Sequence, residues 1–228
     1  MNDSPLIYLC EKILEELADC EYGNLDIRTM KPLAENDIDA SHILVCKPEE
    51  LKKYKRGTCW DQSLYIYNSL KSVVSSADIN VIACWISTSE MDCTSHTTVA
   101  VRDQNNEWYW VESTWDKHNG INGPFASSKE VMKEIEKYQP KSKASLYKNN
   151  VNKAYDKLLS KSGKISGRDF IRIVFDKVPI MNKDGNVVCS ICDTRCLRDD
   201  NGISITSDFC PSCGSLMRKT YIDEWWKS

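Results

Sequence analysis

The stretch His96-Thr-Thr-Val-Ala-Val-Arg-Asp-Gln-Asn-Asn-Glu-Trp-Tyr-Trp-Val-Glu112 decides the reading of this chain. Its first six residues and its last five have the β-branched and aromatic composition of strands, and the polar segment Arg102 to Asn106 between them is a turn. If Val101 pairs with Glu107 across that turn, antiparallel register sets His96 directly opposite Glu112. The two side chains then share a face, about 5 Å apart at Cβ. A one-residue slip would exchange Glu112 for Ser113 or Val111. A hairpin alone therefore predicts an imidazole beside a carboxylate.

Upstream lies Arg56-Gly57-Thr58-Cys59-Trp60-Asp61, followed by a helical pattern with Leu64, Tyr67, Leu70 and Val74 on one side. A cysteine in the first turn of a helix faces unpaired N–H groups and the positive end of the helix dipole, and both favour thiolate. The same N–H groups suit the oxyanion of an acyl intermediate. A thiol nucleophile needs a base, and the base an orienting group. The chain has three histidines, His42, His96 and His118. The alternative for Cys59 is a buried, inert thiol.

Around this centre, Ser4-Pro5 opens a helix carried by Leu6, Leu9, Cys10, Ile13, Leu14 and Leu17, with Gly23 as its stop. Residues 24 to 55 read as loop and short elements. Strands are predicted at Asn80 to Ile86, His96 to Val101, Trp108 to Thr114 and Phe170 to Phe175, and helices at Ser127 to Tyr138 and Ser145 to Ser160. Cys84 reads as core. The fold class is α+β, with a domain over residues 1–179 and a second over 180–228.

That second segment is too short to build much core and needs a staple. Cys189-Ser-Ile-Cys192 and Cys210-Pro-Ser-Cys213-Gly214, 17 residues apart, have the spacing of a four-thiolate zinc site. Ile203 to Ser207 supplies a strand between the knuckles of a zinc ribbon. Such a closed site is structural, contributing folding free energy and no open coordination position. Cys196 falls outside the paired pattern and is read as a spare thiol; disulfide-linked cysteines are the alternative for the set.

The chain has 228 residues, a net charge of -3 and 11 cysteines. An odd thiol count, paired CxxC spacing and an N-terminus without a basic start point to a reducing, cytoplasmic setting. No apolar run approaches the roughly 20 residues of a membrane span, so no membrane partner is expected. Residues 139–168 carry eight Lys or Arg against one acid. This is read as a solvated helix face, with a patch for an anionic partner as the alternative. Residues 180–228 sum to -1 from six basic and seven acidic residues, which gives nucleic acid weak support as a partner.

The motifs Gly57-Thr-Cys-Trp-Asp61, the strand opening at His96 and Trp108-Tyr-Trp-Val-Glu112-Ser-Thr-Trp115 resemble the transglutaminase-like superfamily, in particular its small bacterial and phage members. The resemblance covers roughly residues 45–125. It implies a papain-like scaffold on which Cys59 is the nucleophile, His96 the base and Glu112 the orienting acid. It also implies acyl transfer from a protein or peptide amide, with no choice between water and an amine as acceptor. The family usually has Asp in an Asp-Pro-Thr context where this chain has Glu112-Ser-Thr114, and Asp116 is the fallback acid. Arg56-Gly57-x-Cys59 also resembles arylamine N-acetyltransferases, with a poorer flanking match. Asp61, Gln62, Trp60, Trp110 and Trp115 are read as structural or as substrate contacts, and His118 as a loop residue. A reading of another class is a catalytically idle scaffold that binds protein or nucleic acid through the ribbon and the basic segment.

Overall fold

In the computed structural model, residues 4–34, 40–87, 93–138, 144–175, 180–181 and 187–188 are described. Helix α1 (Pro5–Leu17) begins after Ser4 with proline in its first turn and buries Ile7, Cys10, Ile13 and Leu17. It ends at Leu17, before Gly23, because the chain turns there into strand β1 (Glu21–Tyr22). Strands β2 (Leu25–Asp26) and β3 (Ile43–Val45) follow, then helix α2 (Pro48–Tyr54), strand β4 (Arg56–Gly57) and helix α3 (Cys59–Lys71). Strands β5 (Ile79–Ser87), β6 (Cys93–Arg102), β7 (Trp108–Glu112) and β8 (Gly120–Phe125) precede helix α4 (Ser128–Tyr138). Strand β9 (Ala144–Lys148), helix α5 (Asn152–Ser160), strand β10 (Ile165–Ser166) and helix α6 (Gly167–Val174) complete this part. A small hairpin, β11 (Ile180–Met181) with β12 (Val187–Val188), ends the described chain.

The main sheet is antiparallel, in the order β8-β7-β6-β5-β9. Period-2 alternation divides its side chains between two cores. Val81, Ala83, Val99, Val101, Tyr109 and Val111 belong to the larger one, with α1, α3, α5 and α6. Ile82, Cys84, Ala100, Trp108 and Trp110 form the smaller one with Val131 and Ile135 of α4. Both faces are thus covered, and Cys84 is core as expected. The chain is α+β. Among the described residues no helix is long and apolar enough to cross a membrane.

Two expected elements differ. Residues 170–175, read as a strand from alternating apolar and arginine side chains, form the end of α6 and its cap, Phe175. Ser166 Oγ accepts the Asp169 N–H at 3.1 Å while Asp169 accepts the Ser166 N–H at 3.3 Å, a capping box that starts a helix. Phe170, Ile171 and Val174 then face the core at helical spacing. The helix expected from Ser145 begins at Asn152, because residues 144–148 add an outer strand to β5. Val151 at its cap and Tyr155 and Leu158 within it are buried.

The hairpin register also differs. Val101 pairs with Tyr109 and Val99 with Val111, two residues away from the expected pairing. Asp103 causes this. Its backbone N–H donates to Glu107 O at 2.9 Å, and its Oδ1 accepts the Asn105 and Glu107 N–H groups. This closes a tighter turn with Asn106 at φ 63°. Continuing that register sets Glu112 opposite Thr98, so His96 and Glu112 are diagonal neighbours. A two-residue shift preserves the face.

Cys189, Cys192, Cys196, Cys210 and Cys213 lie outside the described residues, as does the expected domain boundary near residues 179–185 for the most part.

Candidate active site

Cys59 opens α3, after Thr58 as cap. Asp61 fixes that start. Its buried carboxylate accepts the Thr58 N–H at 2.6 Å, the Thr58 hydroxyl at 2.9 Å and, from another loop, the Cys46 N–H at 2.5 Å. Burial pushes its pKa up to about 6. Gly57 is required here: a Cβ would stand 2.7 Å from Leu51 Cδ1 and 2.8 Å from Asp61 Cβ.

Three contacts press the first turn of α3 against β6. Thr97 Oγ1 donates to Cys59 O at 2.9 Å, Ser63 Oγ donates to Thr97 O at 2.7 Å, and Trp60 Nε1 donates to Ser95 Oγ at 2.9 Å. They set the Cys59 sulfur 3.7 Å from Ser95 O, against the peptide that leads into His96. Cys59 is 3% exposed.

His96 Nε2 lies 2.8 Å from Glu112 Oε2, with the two side chains 13% and 1% exposed. The longer reach of glutamate suits a diagonal pair, whose Cα atoms stand about 7–8 Å apart. Glu112 Oε1 accepts the N–H groups of Ser113 (3.1 Å), Thr114 (2.9 Å) and Trp115 (3.2 Å) and the Thr114 hydroxyl (3.0 Å). Both oxygens are thus engaged and the carboxylate has one orientation. Since Nε2 faces Glu112, Nδ1 is the ring nitrogen left for the thiol. Burial alone would lower the His96 pKa, but the Glu112 carboxylate and the Cys59 sulfur outweigh it and hold the imidazole well above its ordinary range. Burial likewise raises Glu112, and its His96 partner and the Thr114 donors more than offset this, leaving it below the usual range.

No protein-family model matches the chain, and no curated protein does.

Cys59, His96 and Glu112 are therefore brought together, and Asp116, the fallback acid, is exposed in the turn after Trp115. Trp115 packs on the His96 ring at 5.0 Å between centroids. Trp60 stacks on Phe170 at 4.4 Å and Trp110 is almost fully buried, so both are packing residues. His118 stacks on Trp110 and lies 4.0 Å from the Tyr138 ring, in the smaller core region. His42 lies in the turn before β3, where its carbonyl accepts the Ile27 N–H. Among the described residues no group of three or more His, Cys, Asp or Glu converges as a metal site would.

Tyr22 is the site residue that sequence reasoning missed. The parallel pairing of β1 with β4 sets it beside Gly57. Tyr22 is 62% exposed as a residue, and the Cys59 sulfur is the main influence that holds its phenol above its ordinary range. No local pattern announces a parallel contact between residues 35 positions apart. Tyr22 also lines a groove of about 820 Å³ between α1, Gln62 of α3 and the segment after Glu112.

Three cations of the basic segment have partners within the chain. Lys148 Nζ donates to Phe175 O at 2.8 Å, Lys164 Nζ donates to Ile27 O at 2.7 Å, and Lys161 lies 3.8 Å from Asp169.

Proposed function

We propose that this protein is a cysteine-dependent acyl-transfer enzyme acting on amides, built on a transglutaminase-like, papain-like core. The observation that carries the reading is the buried His96–Glu112 pair at 2.8 Å, next to a cysteine at the start of a helix. A merely structural hairpin has no need of an imidazole held in one orientation by a carboxylate that is itself fixed through four donors.

The chemistry follows from these groups. Cys59 gives its proton to His96 Nδ1, and the thiolate forms a C–S bond to the amide carbonyl carbon. The carbonyl π pair moves to oxygen, and the oxyanion is received by N–H groups of the first turn of α3. As the oxyanion collapses, the C–N bond breaks and His96 donates its proton to the departing nitrogen. Glu112 stabilises the imidazolium in the interval. The thioester then passes its acyl group to water or to an amine, with His96 as base. Residues 180–228 are proposed to form the zinc ribbon, a structural unit with no part in these steps, and a cytoplasmic location suits the free thiols.

The test is the pH dependence of Cys59 alkylation by iodoacetamide, resolved by site with mass spectrometry. Reaction well below pH 8, where an ordinary thiol is protonated, is expected in the wild type and its loss in His96→Ala. An ordinary thiol profile unchanged by His96→Ala would remove the reading.

A further inference from the structure

We propose that the groove beside Cys59 holds a positively charged side chain of the substrate, an ammonium or guanidinium, next to the amide that the thiol attacks. This rests on the acyl-transfer reading for the attacked amide, and on separate observations for the charge.

Three carboxylates, Glu11, Glu15 and Asp116, line the groove, and no Lys, Arg or His does. Glu11 and Glu15 stand one turn apart on α1 and are exposed, as is Asp116 in the segment that follows Glu112. Lys12 pairs with Glu15 at 2.6 Å from within the same helix and is itself outside the lining. The C-terminal end of α1 borders the groove and has no basic residue in its last turn, so its carbonyl ends add partial negative charge.

Gln62 is an independent sign of a missing donor. It lines the groove from α3, three residues and so one turn beyond Cys59, and is 3% exposed. Its Nε2 donates to Gly57 O at 3.5 Å, while its Oε1 has no hydrogen-bond partner among the described residues. A buried acceptor left without a donor is a cost to the fold unless something arrives to fill it. Ammonium and guanidinium groups carry donors and no acceptor, which suits a groove lined by three carboxylates and by a glutamine whose amide oxygen has no partner among the described residues. A metal ion is the poorer match, because the carboxylates do not converge within the distance one ion spans. The volume accommodates a lysine or arginine side chain with adjoining backbone.

The experiment uses the full chain with Cys59→Ala, so that nothing turns over. The probes are two blocked, fluorescently labelled glutamine peptides, identical except for lysine or its uncharged isostere norleucine beside the glutamine. Binding is read by fluorescence anisotropy. The lysine peptide is expected to bind about five- to ten-fold more tightly, with the margin shrinking at high salt. Adding Glu11→Gln and Asp116→Asn together should bring the ratio close to one, and Gln62→Leu should weaken the lysine peptide more than the norleucine peptide. Thermal unfolding of each variant verifies the fold, and the surface pair of substitutions leaves the core untouched if Gln62→Leu does not fold. Equal affinities, no binding of either peptide, or a preference that survives the double substitution would overturn the proposal. Alkylation of Cys59 in the wild type reports on the thiol and not on the groove. A charge-selective groove beside an ordinary thiol sinks the acyl-transfer reading, whereas an activated thiol with unselective binding sinks this one.

Discussion

Asp61 and Glu112 are both buried carboxylates flanking Cys59, and both collect backbone N–H groups and a threonine hydroxyl. Yet burial raises the first to about 6, while the second is held below its usual range. The difference is a cation. Asp61 has amide and hydroxyl dipoles for company; Glu112 has the same and an imidazole 2.8 Å away. Peptide dipoles suffice to fix a helix start, and an ion pair is what keeps a carboxylate charged inside a core. The Asp61 region is thus an anchor, and the Glu112 region a device for holding charge.

Truncation should separate the two most sharply. Glu112→Ala leaves four donors and a buried imidazole without their acceptor, and a loss of about 3–5 kcal/mol in urea unfolding is expected. Asp61→Asn keeps the shape and sets an amide against the Thr58 and Cys46 N–H groups, with an expected loss of about 1–3 kcal/mol. Low-pH alkylation of Cys59 should vanish in the first and persist in the second. If both variants lose it equally, the two regions do not divide the labour as described.

The pH dependence of stability should have opposite signs at the two sites. Asp61 is raised on folding, so the folded state binds its proton more tightly. Its contribution falls as pH rises from about 4, the unfolded value, to about 6, by something on the order of 3 kcal/mol. The deficit of Asp61→Asn should therefore shrink between pH 4 and pH 7. Glu112 is lowered, so its contribution is complete above about 4.3 and is lost as pH falls through its folded value. The deficit of Glu112→Gln should shrink on acidification instead. His96, raised on folding, adds stability that is full below about 6.5 and fades as pH rises through its folded value. Urea melts of Asp61→Asn, Glu112→Gln and His96→Ala from pH 3 to pH 9 measure all of this, and parallel slopes for Asp61→Asn and Glu112→Gln would break the comparison.

What the sequence made legible was parity. Alternation in residues 96–101 and 108–112 specified which side chains share a face, and parity survives any even shift in register, so His96 and Glu112 meet although the pairing is two residues from the expected one. Register was not legible because it depends on how Asp103 folds its own turn, a local hydrogen-bond choice that apolar periodicity does not record. For the same reason residues 170–175 read as a strand from their alternation alone, while the decisive signal is Ser166 with Asp169 three residues later. Strand β9 and Tyr22 owe their places to partners distant in the chain, and neither is written in its own neighbourhood.

The diagonal register gives the smallest and most specific expectation. Had His96 and Glu112 been directly opposed, aspartate would have bridged them, and glutamate would have had to fold back. At a diagonal, the additional methylene of glutamate is what brings Oε2 to Nε2 while Oε1 stays over the Ser113, Thr114 and Trp115 N–H groups. Glu112→Asp keeps the charge and most of the volume, so it should fold with a loss below about 1.5 kcal/mol. It cannot satisfy both ends at once. Drawn to the nearby N–H groups, a carboxylate one carbon shorter gives up the imidazole, and the alkylation rate of Cys59 near pH 6 should drop about tenfold with the ordinary thiol rate at pH 9 unchanged. Full reactivity in Glu112→Asp would mean that the hairpin adjusts its register freely, and that the length of residue 112 carries no information about the site.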